Sequence, residues 1–232
     1  MKSTQKISRR KFMALASGTV ASISLPGVFV KLTEKENLAI ASELRPDGRP
    51  RIPPNQQAVK TLRDMGGFLG PGRVPEWKLQ VHGEVQKPMT FTFKQLMELQ
   101  AVDITCDVHC VTGWTLLDAK WRGLQMTALM ELAKVKASAG FVIFEGYAGY
   151  TSNIPISEAR KKNVILAHSF SARPLPLAHG APLRALVPDR YFYKSAKWLE
   201  GIKFSVEDEP GYWERGGYSN SADPWKEERF DN

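Results

Sequence analysis

The chain has 232 residues, with 32 Lys or Arg against 24 Asp or Glu, a formal net charge of +8 and only two cysteines. Two cysteines exclude a disulfide scaffold. The basic excess does not mark a nucleic-acid module either, because residues 1–41 hold seven Lys or Arg against Glu34 and Glu36, which is +5 of the +8.

Ser8, Arg9, Arg10, Lys11 and Phe12 are followed by a mildly apolar run to Val30 that is interrupted by Ser17, Gly18, Ser22, Ser24 and Pro26. This pattern resembles a twin-arginine export signal, which implies the export machinery as a partner and a periplasmic or otherwise exported protein. The run approaches the roughly 20 residues that span a bilayer, but its Ser, Gly and Pro content suits a permanent anchor poorly. Ala39-Ile40-Ala41 offers an A-x-A cleavage pattern. Residues 1–41 therefore read as a signal or, uncleaved, as an N-terminal membrane tether.

The 191 residues that follow suit one substantial core. Residues 42–73, rich in Pro, Gly, Arg and Asn and without periodicity, are expected to form an extended lead-in over the surface of a domain at 74–232. Residues 77–85 alternate as a strand, with Gly83 marking a bulge or turn. Thr92 is expected to cap a short helix that turns Leu96 and Leu99 inward, and Thr127 a second with Leu129, Met130 and Ala133 inside. Residues 141–144 read as a buried strand, Ser157 opens a brief helix, and 183–187 and 202–206 read as further strands. Strands joined by short helices and hairpin-like turns, without repeated long crossovers, imply an α+β domain.

Between these elements lies the most informative stretch, Cys106-Asp-Val-His-Cys110-Val-Thr-Gly113-Trp114. Val102, Ile104, Cys106, Val108 and Cys110 follow the period of a strand with one buried face, so both cysteines share that face. At roughly 3.3 Å per residue their Cα atoms are about 13 Å apart, beyond the reach of a disulfide. Taken alone, Cys110 is as well explained as an inert core thiol. Cys106, His109, Cys110 and His168 offer zinc-type ligands, but the spacing of the cysteines on one extended strand opposes a shared tetrahedral ion.

His109-Cys-Val-Thr-Gly-Trp114, with Trp121 and Gly123, resembles the molybdopterin-binding domain of the sulfite oxidase family. The likeness continues in order through GYTSNIPI at 149–156, ILAHSF at 165–170, PLPLAHGAPLRALVP at 174–188, YFYKSAKWLEGIKF at 191–204, and PGYWERGGY and DPWKEERF near the C-terminus. It implies an α+β fold of mixed sheets with a barrel-like β core and small peripheral helices. It also implies a mononuclear molybdenum held by molybdopterin, with Cys110 as the protein's thiolate ligand to the metal, a choice that suits a thiophilic ion. The positions matching His179, Arg184, Ser195 and Lys197 contact the pterin in that family. Lys194 is a further candidate only through its place beside Ser195, since ammonium and guanidinium groups suit phosphate oxygens.

The expected function is an exported molybdenum oxidoreductase that transfers an oxygen atom, or two electrons with protons, to or from a small substrate. The cleft would be lined by loops around Gly113, Tyr150 and Tyr193. Within the family the substrate stays open between sulfite and a sulfoxide such as oxidised methionine. An electron partner is implied, a cytochrome or a membrane haem subunit. The alternatives are a zinc-binding module and a non-catalytic binding module.

Overall fold

A computed structural model describes residues 43–66 and 76–231. The export pattern and the Ala39-Ile40-Ala41 site lie outside the described residues. No helix among those described is long and apolar enough to cross a membrane.

Two sheets carry the domain. The first contains β1 (Gln57–Val59), β4 (Ala101–Cys110), β5 (Trp114–Gln125), β8 (Ile165–Phe170), β9 (Arg173–Pro174) and β10 (Arg184–Leu186), and the second β2 (Lys78–Gly83), β3 (Met89–Thr92), β6 (Phe141–Gly146), β7 (Thr151–Pro155) and β11 (Leu199–Ser205). The first runs β1-β5-β8-β10, with β4 also on β5 and β9 on β8; the second runs β3-β2-β11-β6-β7. Each mixes parallel and antiparallel pairs, as β2 and β11 run parallel while β6 and β11 run antiparallel. The α+β class and mixed sheets are as expected. Neither sheet closes on itself, so the barrel-like core is not formed; both sheets are open and stacked.

The main core lies between the sheets and under the helix α2 (Met126–Ala133). Leu79, Val142, Phe144 and Ile202 from one sheet meet Leu124, Leu166 and Ala185 from the other, with Met126, Leu129 and Ala133 of α2 beside them. A second cluster covers the opposite face of the first sheet, where Ile165, Ala167 and Leu186 join Val108, Cys110, Trp114 and Trp121. Successive residues of β8 thus feed two different cores. Such a strand reads as a continuous apolar run, not an alternation.

Local chemistry explains the element ends. Thr92 forms a capping box with Gln95 at the start of α1 (Phe93–Met97), satisfying two otherwise orphaned N–H groups. Thr127 does not cap α2: Gln125 holds that position in extended backbone without a side-chain cap, and the helix takes Met126 as its first residue because that side chain is fully buried. Gly83 adopts φ +84°, and a Cβ there would lie 2.1 Å from the Phe204 carbonyl oxygen, so the end of β2 needs glycine to sit against β11. A short helix, α3 (Ile156–Ala159), follows β7.

The lead-in is more structured than its composition implies. Gln57, Ala58 and Val59 pair in parallel with Trp114, Thr115 and Leu116, immediately after the cysteine loop. Arg45 binds Asp189 at 2.6 Å, and Arg51 binds Asp107 at 2.6 Å and Asp118 at 2.8 Å. Asp118 takes φ +51° where β4 and β5 slip register between Cys106 and Val108. These ion pairs strap residues 43–66 across the strand that ends in Cys110.

Candidate functional site

Cys110 is the last residue of β4. The chain then turns tightly, with the Gly113 N–H donating to the Cys110 carbonyl at 3.0 Å and Gly113 at φ +93°. Three further donors grip the turn from outside. Gln56 Nε2 donates to the Cys110 carbonyl at 3.0 Å, the Arg229 guanidinium to the Val111 carbonyl, and the Gln57 N–H to the Gly113 carbonyl at 3.0 Å. The cysteine loop is therefore held by the strap and by the C-terminal segment together.

The thiol forms part of the wall of an open cleft of about 140 Å³ that is also lined by Arg63, Thr112, Tyr150, Thr151, His179, Arg184, Tyr193, Ser195, Lys197, Trp198, Trp213 and Tyr218. Burial raises the Cys110 pKa, while the Thr112 hydroxyl at 3.2 Å and the charges of Arg63 and Arg229 pull the other way. The sulfur is thus protonated when alone and set among groups that favour the thiolate. A thiophilic cation would displace the proton outright.

Arg184 is the other defining group. It is 1% exposed, donates from Nη1 to the His179 carbonyl at 2.9 Å, from Nη2 to the Ser195 carbonyl at 2.8 Å and from Nε to the Ala185 carbonyl at 3.2 Å, and lies 4.0 Å from the centroid of the Phe192 ring. Among the described residues no carboxylate pairs with it. Desolvation pulls its pKa down to about 9, still high enough to leave it charged at neutral pH. Five N–H donors with three carbonyl partners leave two for a ligand. A buried positive charge with spare donors and a cleft beside it is a site for an anion.

Lys197 stands beside it, donating to the Met65 and Ala178 carbonyls at 2.9 and 3.0 Å and lying 4.1 Å from the Trp198 ring centroid. Burial and the Arg184 charge lower its pKa to about 8. His179 Nε2 lies 3.2 Å from Asp64 Oδ1. Burial, with Arg184 and Lys197, lowers the His179 pKa against the pull of Asp64. Ser195 Oγ accepts the Val187 N–H at 2.9 Å and keeps its own proton to donate.

All five expected site residues, Cys110, His179, Arg184, Ser195 and Lys197, therefore meet in one cleft. Lys194 does not: the turn at Phe192–Lys194 sends Tyr193 toward the cleft and the Lys194 ammonium to the far side, onto Glu214 at 2.5 Å. Tyr150 and Tyr193 line the cleft as expected, whereas Gly113 shapes the turn without lining it. Arg63, Thr112 and Thr151 in the wall, and Gln56 and Arg229 behind it, escaped the sequence reading. Only Thr112 carried a signal, inside the His109–Trp114 block; the others depend on contacts between distant segments.

The zinc reading fails on geometry. Among the described residues no three His, Cys, Asp or Glu converge. His109 Nδ1 is engaged with the Thr115 hydroxyl at 2.9 Å, His168 Nδ1 with the Ser169 hydroxyl at 2.8 Å, and both cysteines are free.

Comparison with known proteins supplies the family. The chain is 40% identical over 190 residues to the uncharacterized oxidoreductase YuiH of Bacillus subtilis (strain 168), covering 79% of this chain and 94% of that one. It is 26% identical over 155 residues to the protein-methionine-sulfoxide reductase catalytic subunit MsrP of Campylobacter jejuni, covering 60% of this chain and 52% of that protein, so it spans about half of that relative. The crystal structure of the sulfane dehydrogenase SoxCD from Paracoccus pantotrophus shares the fold, with a TM-score of 0.54, 17% identity, and coverage of 83% of this chain and 57% of that one. The family model described as oxidoreductase molybdopterin binding domain matches residues 70–213. The chain belongs to that family, and is a sulfite-oxidase-type oxidoreductase that uses a molybdopterin cofactor.

Proposed function

We propose that this enzyme is an exported molybdenum reductase that removes oxygen from a small sulfoxide such as oxidised methionine, with Cys110 as the thiolate ligand of the metal. The observation that carries the reading is one cleft holding both a thiol poised against cationic groups and a buried guanidinium without a carboxylate. A soft metal and an anionic tail on one ligand match those two groups. The sulfoxide assignment is supported by the relatives named as methionine-sulfoxide reductase catalytic subunits. It is also supported by the aromatic wall of Tyr150, Trp198, Trp213 and Tyr218, since thioether sulfur packs favourably against aromatic rings.

When bound, the cofactor supplies two-electron redox chemistry and the metal position at which oxygen is exchanged. The chain's own residues do the rest. Cys110 gives up its proton on binding the metal, and the grip of Gln56, Gln57 and Arg229 on its loop fixes where the sulfur points. Arg184 and Lys197 hold the anionic part of the cofactor, while Ser195 donates its hydroxyl proton and His179, held largely neutral, offers one ring nitrogen as donor or acceptor. The Tyr and Trp wall excludes water from the substrate's apolar body.

Electrons arrive from a cytochrome or a membrane haem subunit. A relative named as a putative methionine-sulfoxide reductase subunit, YedZ1 of Azospira oryzae, is 28% identical over 143 residues. Export follows from the twin-arginine pattern at Arg9 and Arg10, and cell fractionation of an R9K/R10K variant tests it by retention of the protein in the cytoplasm.

The central test is metal and pterin analysis of protein from an exporting host, joined to assays of methionine sulfoxide, N-oxides and sulfite with a viologen or dye partner. The expected result is stoichiometric molybdenum with sulfoxide reduction, and folded Cys110→Ser protein with activity down by at least about a hundredfold. Stoichiometric, active molybdenum in Cys110→Ser would remove Cys110 from its role.

A further inference from the structure

Lys194, turned away from the cleft, forms an arrangement that packing alone does not explain. Its Nζ lies 2.5 Å from Glu214 Oε1 and donates to Asn153 Oδ1 at 2.8 Å and Asn220 Oδ1 at 3.3 Å, and both side chains of the ion pair are 1% exposed. Drying two charges costs several kcal/mol per ion, so a pair this buried is weak evidence for a stabilising role. Glu214 is also under-satisfied. Beyond the Lys194 contact, neither carboxylate oxygen has a hydrogen-bond donor among the described residues.

The pair stands between two cavities. Lys194 lines a second cavity with Asn153, Arg190, Asp208 and Asn220. On the other side, a Cβ on Gly211 would lie 2.6 Å from Glu214 Oε2 and 2.5 Å from the Thr151 carbonyl oxygen. Only glycine lets the carboxylate come that close to the backbone of Thr151. Thr151 lines the cleft, and its buried hydroxyl has no partner among the described residues.

We propose that Lys194 and Glu214 carry protons from the second cavity to the cleft, with the Thr151 hydroxyl as the last donor. This rests on the cleft being the molybdenum site, where releasing a substrate oxygen as water takes up two protons along with two electrons from a haem-class donor. In each passage the Lys194 ammonium gives its proton to the Glu214 carboxylate. The Glu214 acid protonates Thr151 Oγ1 as the original Thr151 proton enters the cleft, and the Lys194 amine recovers a proton from water in the second cavity. Two passages balance one turnover. Glu214 and Asp208 favour the charged ammonium, whereas burial and Arg190 oppose it, and Tyr193 faces Glu214 from the cleft side.

The test uses holoenzyme and the Lys194→Met/Glu214→Gln double variant, which removes both charges and leaves no buried ion alone. Reduction of the metal centre by reduced methyl viologen, followed in H2O and in D2O, needs no sulfoxide. The double variant is expected to keep wild-type molybdenum and pterin content and to be reduced about a hundredfold more slowly. Glu214→Asp recovers part of the rate with an enlarged solvent isotope effect. In cofactor-free protein, NMR of 15N-labelled lysine is expected to show Lys194 ammonium protons exchanging readily with solvent, and more slowly once Asn153→Leu narrows the second cavity. A double variant with the wild-type rate and isotope effect overturns the proposal. So does loss of the cofactor from it, which makes the pair a structural support, and so do Lys194 protons as protected as core amides. A wild type that reduces no sulfoxide would strike the substrate assignment and leave this rate comparison intact.

Discussion

Arg184 and Lys194 are both cations 1% exposed, and the protein treats them in opposite ways. Arg184 is surrounded by carbonyls and aromatic faces with no carboxylate, so its charge is left for whatever enters the cleft. Lys194 has Glu214 at 2.5 Å and a set of amide oxygens, so the back cavity is closer to neutral in itself. The sign of a residue is therefore a poor guide to anion binding. What matters is whether a counter-charge is already built in beside it.

The largest expected effect comes from breaking that contrast. Glu214→Leu makes Lys194 an unpaired buried cation, and truncating one member of a buried pair costs about 3–5 kcal/mol. Urea unfolding of the cofactor-free protein should register that loss, whereas Lys194→Met/Glu214→Leu should return most of it. A loss under about 1 kcal/mol in Glu214→Leu would mean that the pair is hydrated and that the two regions differ less than their geometry states.

Arg184→Met sharpens the contrast from the other side. The variant loses the charge offered to the cofactor and leaves the His179 and Ser195 carbonyls without their donor, so cofactor retention should fall about 10–100-fold on dialysis, read as molybdenum per protein. Arg184→Lys keeps the charge and loses the planar fork, and should fall between that variant and wild type. Equal retention in all three would show that the cleft holds the cofactor without this group.

How far the sequence foretold this arrangement depends on the range of the signal. The Thr92 cap, the inward residues of α2 and the strand ending at Cys110 were legible because each depends on neighbours within a turn or a few strand positions. β8 was not read as a strand from its pattern, because Ile165, Leu166 and Ala167 are all buried, on alternate faces of a sheet covered on both sides. β1 was missed because a three-residue strand in a Pro-rich stretch exists only through its pairing with Trp114–Leu116. Cys110, His179, Arg184, Ser195 and Lys197 came from ordered sequence blocks, and the fold does bring them together. Lys194 failed because adjacency in sequence cannot say which way a tight turn points each side chain. Gln56 and Arg229 reach the cysteine loop across 54 and 118 residues, a contact with no local trace.

The smallest effect concerns pH and the third cation, Lys197. Its pKa is lowered to about 8 first by burial and then by the neighbouring Arg184 charge, with Asp64 opposing. A lysine with a lowered folded pKa releases its proton earlier than the unfolded chain does as pH rises, so it is charged below about 8 and loses that charge above it. Binding of inorganic phosphate to cofactor-free protein should therefore weaken as pH rises through about 8. Because Lys197 is only partly buried and solvent screens it, the change should be modest, about 1 kcal/mol or roughly fivefold in Kd by calorimetry. In Arg184→Met the Lys197 pKa should rise, since one of the two causes of its depression is gone, and the fall in affinity should move to higher pH. A wild-type affinity flat from pH 7 to pH 9 would place Lys197 outside the anion's reach, leaving Arg184 as the cation that holds it.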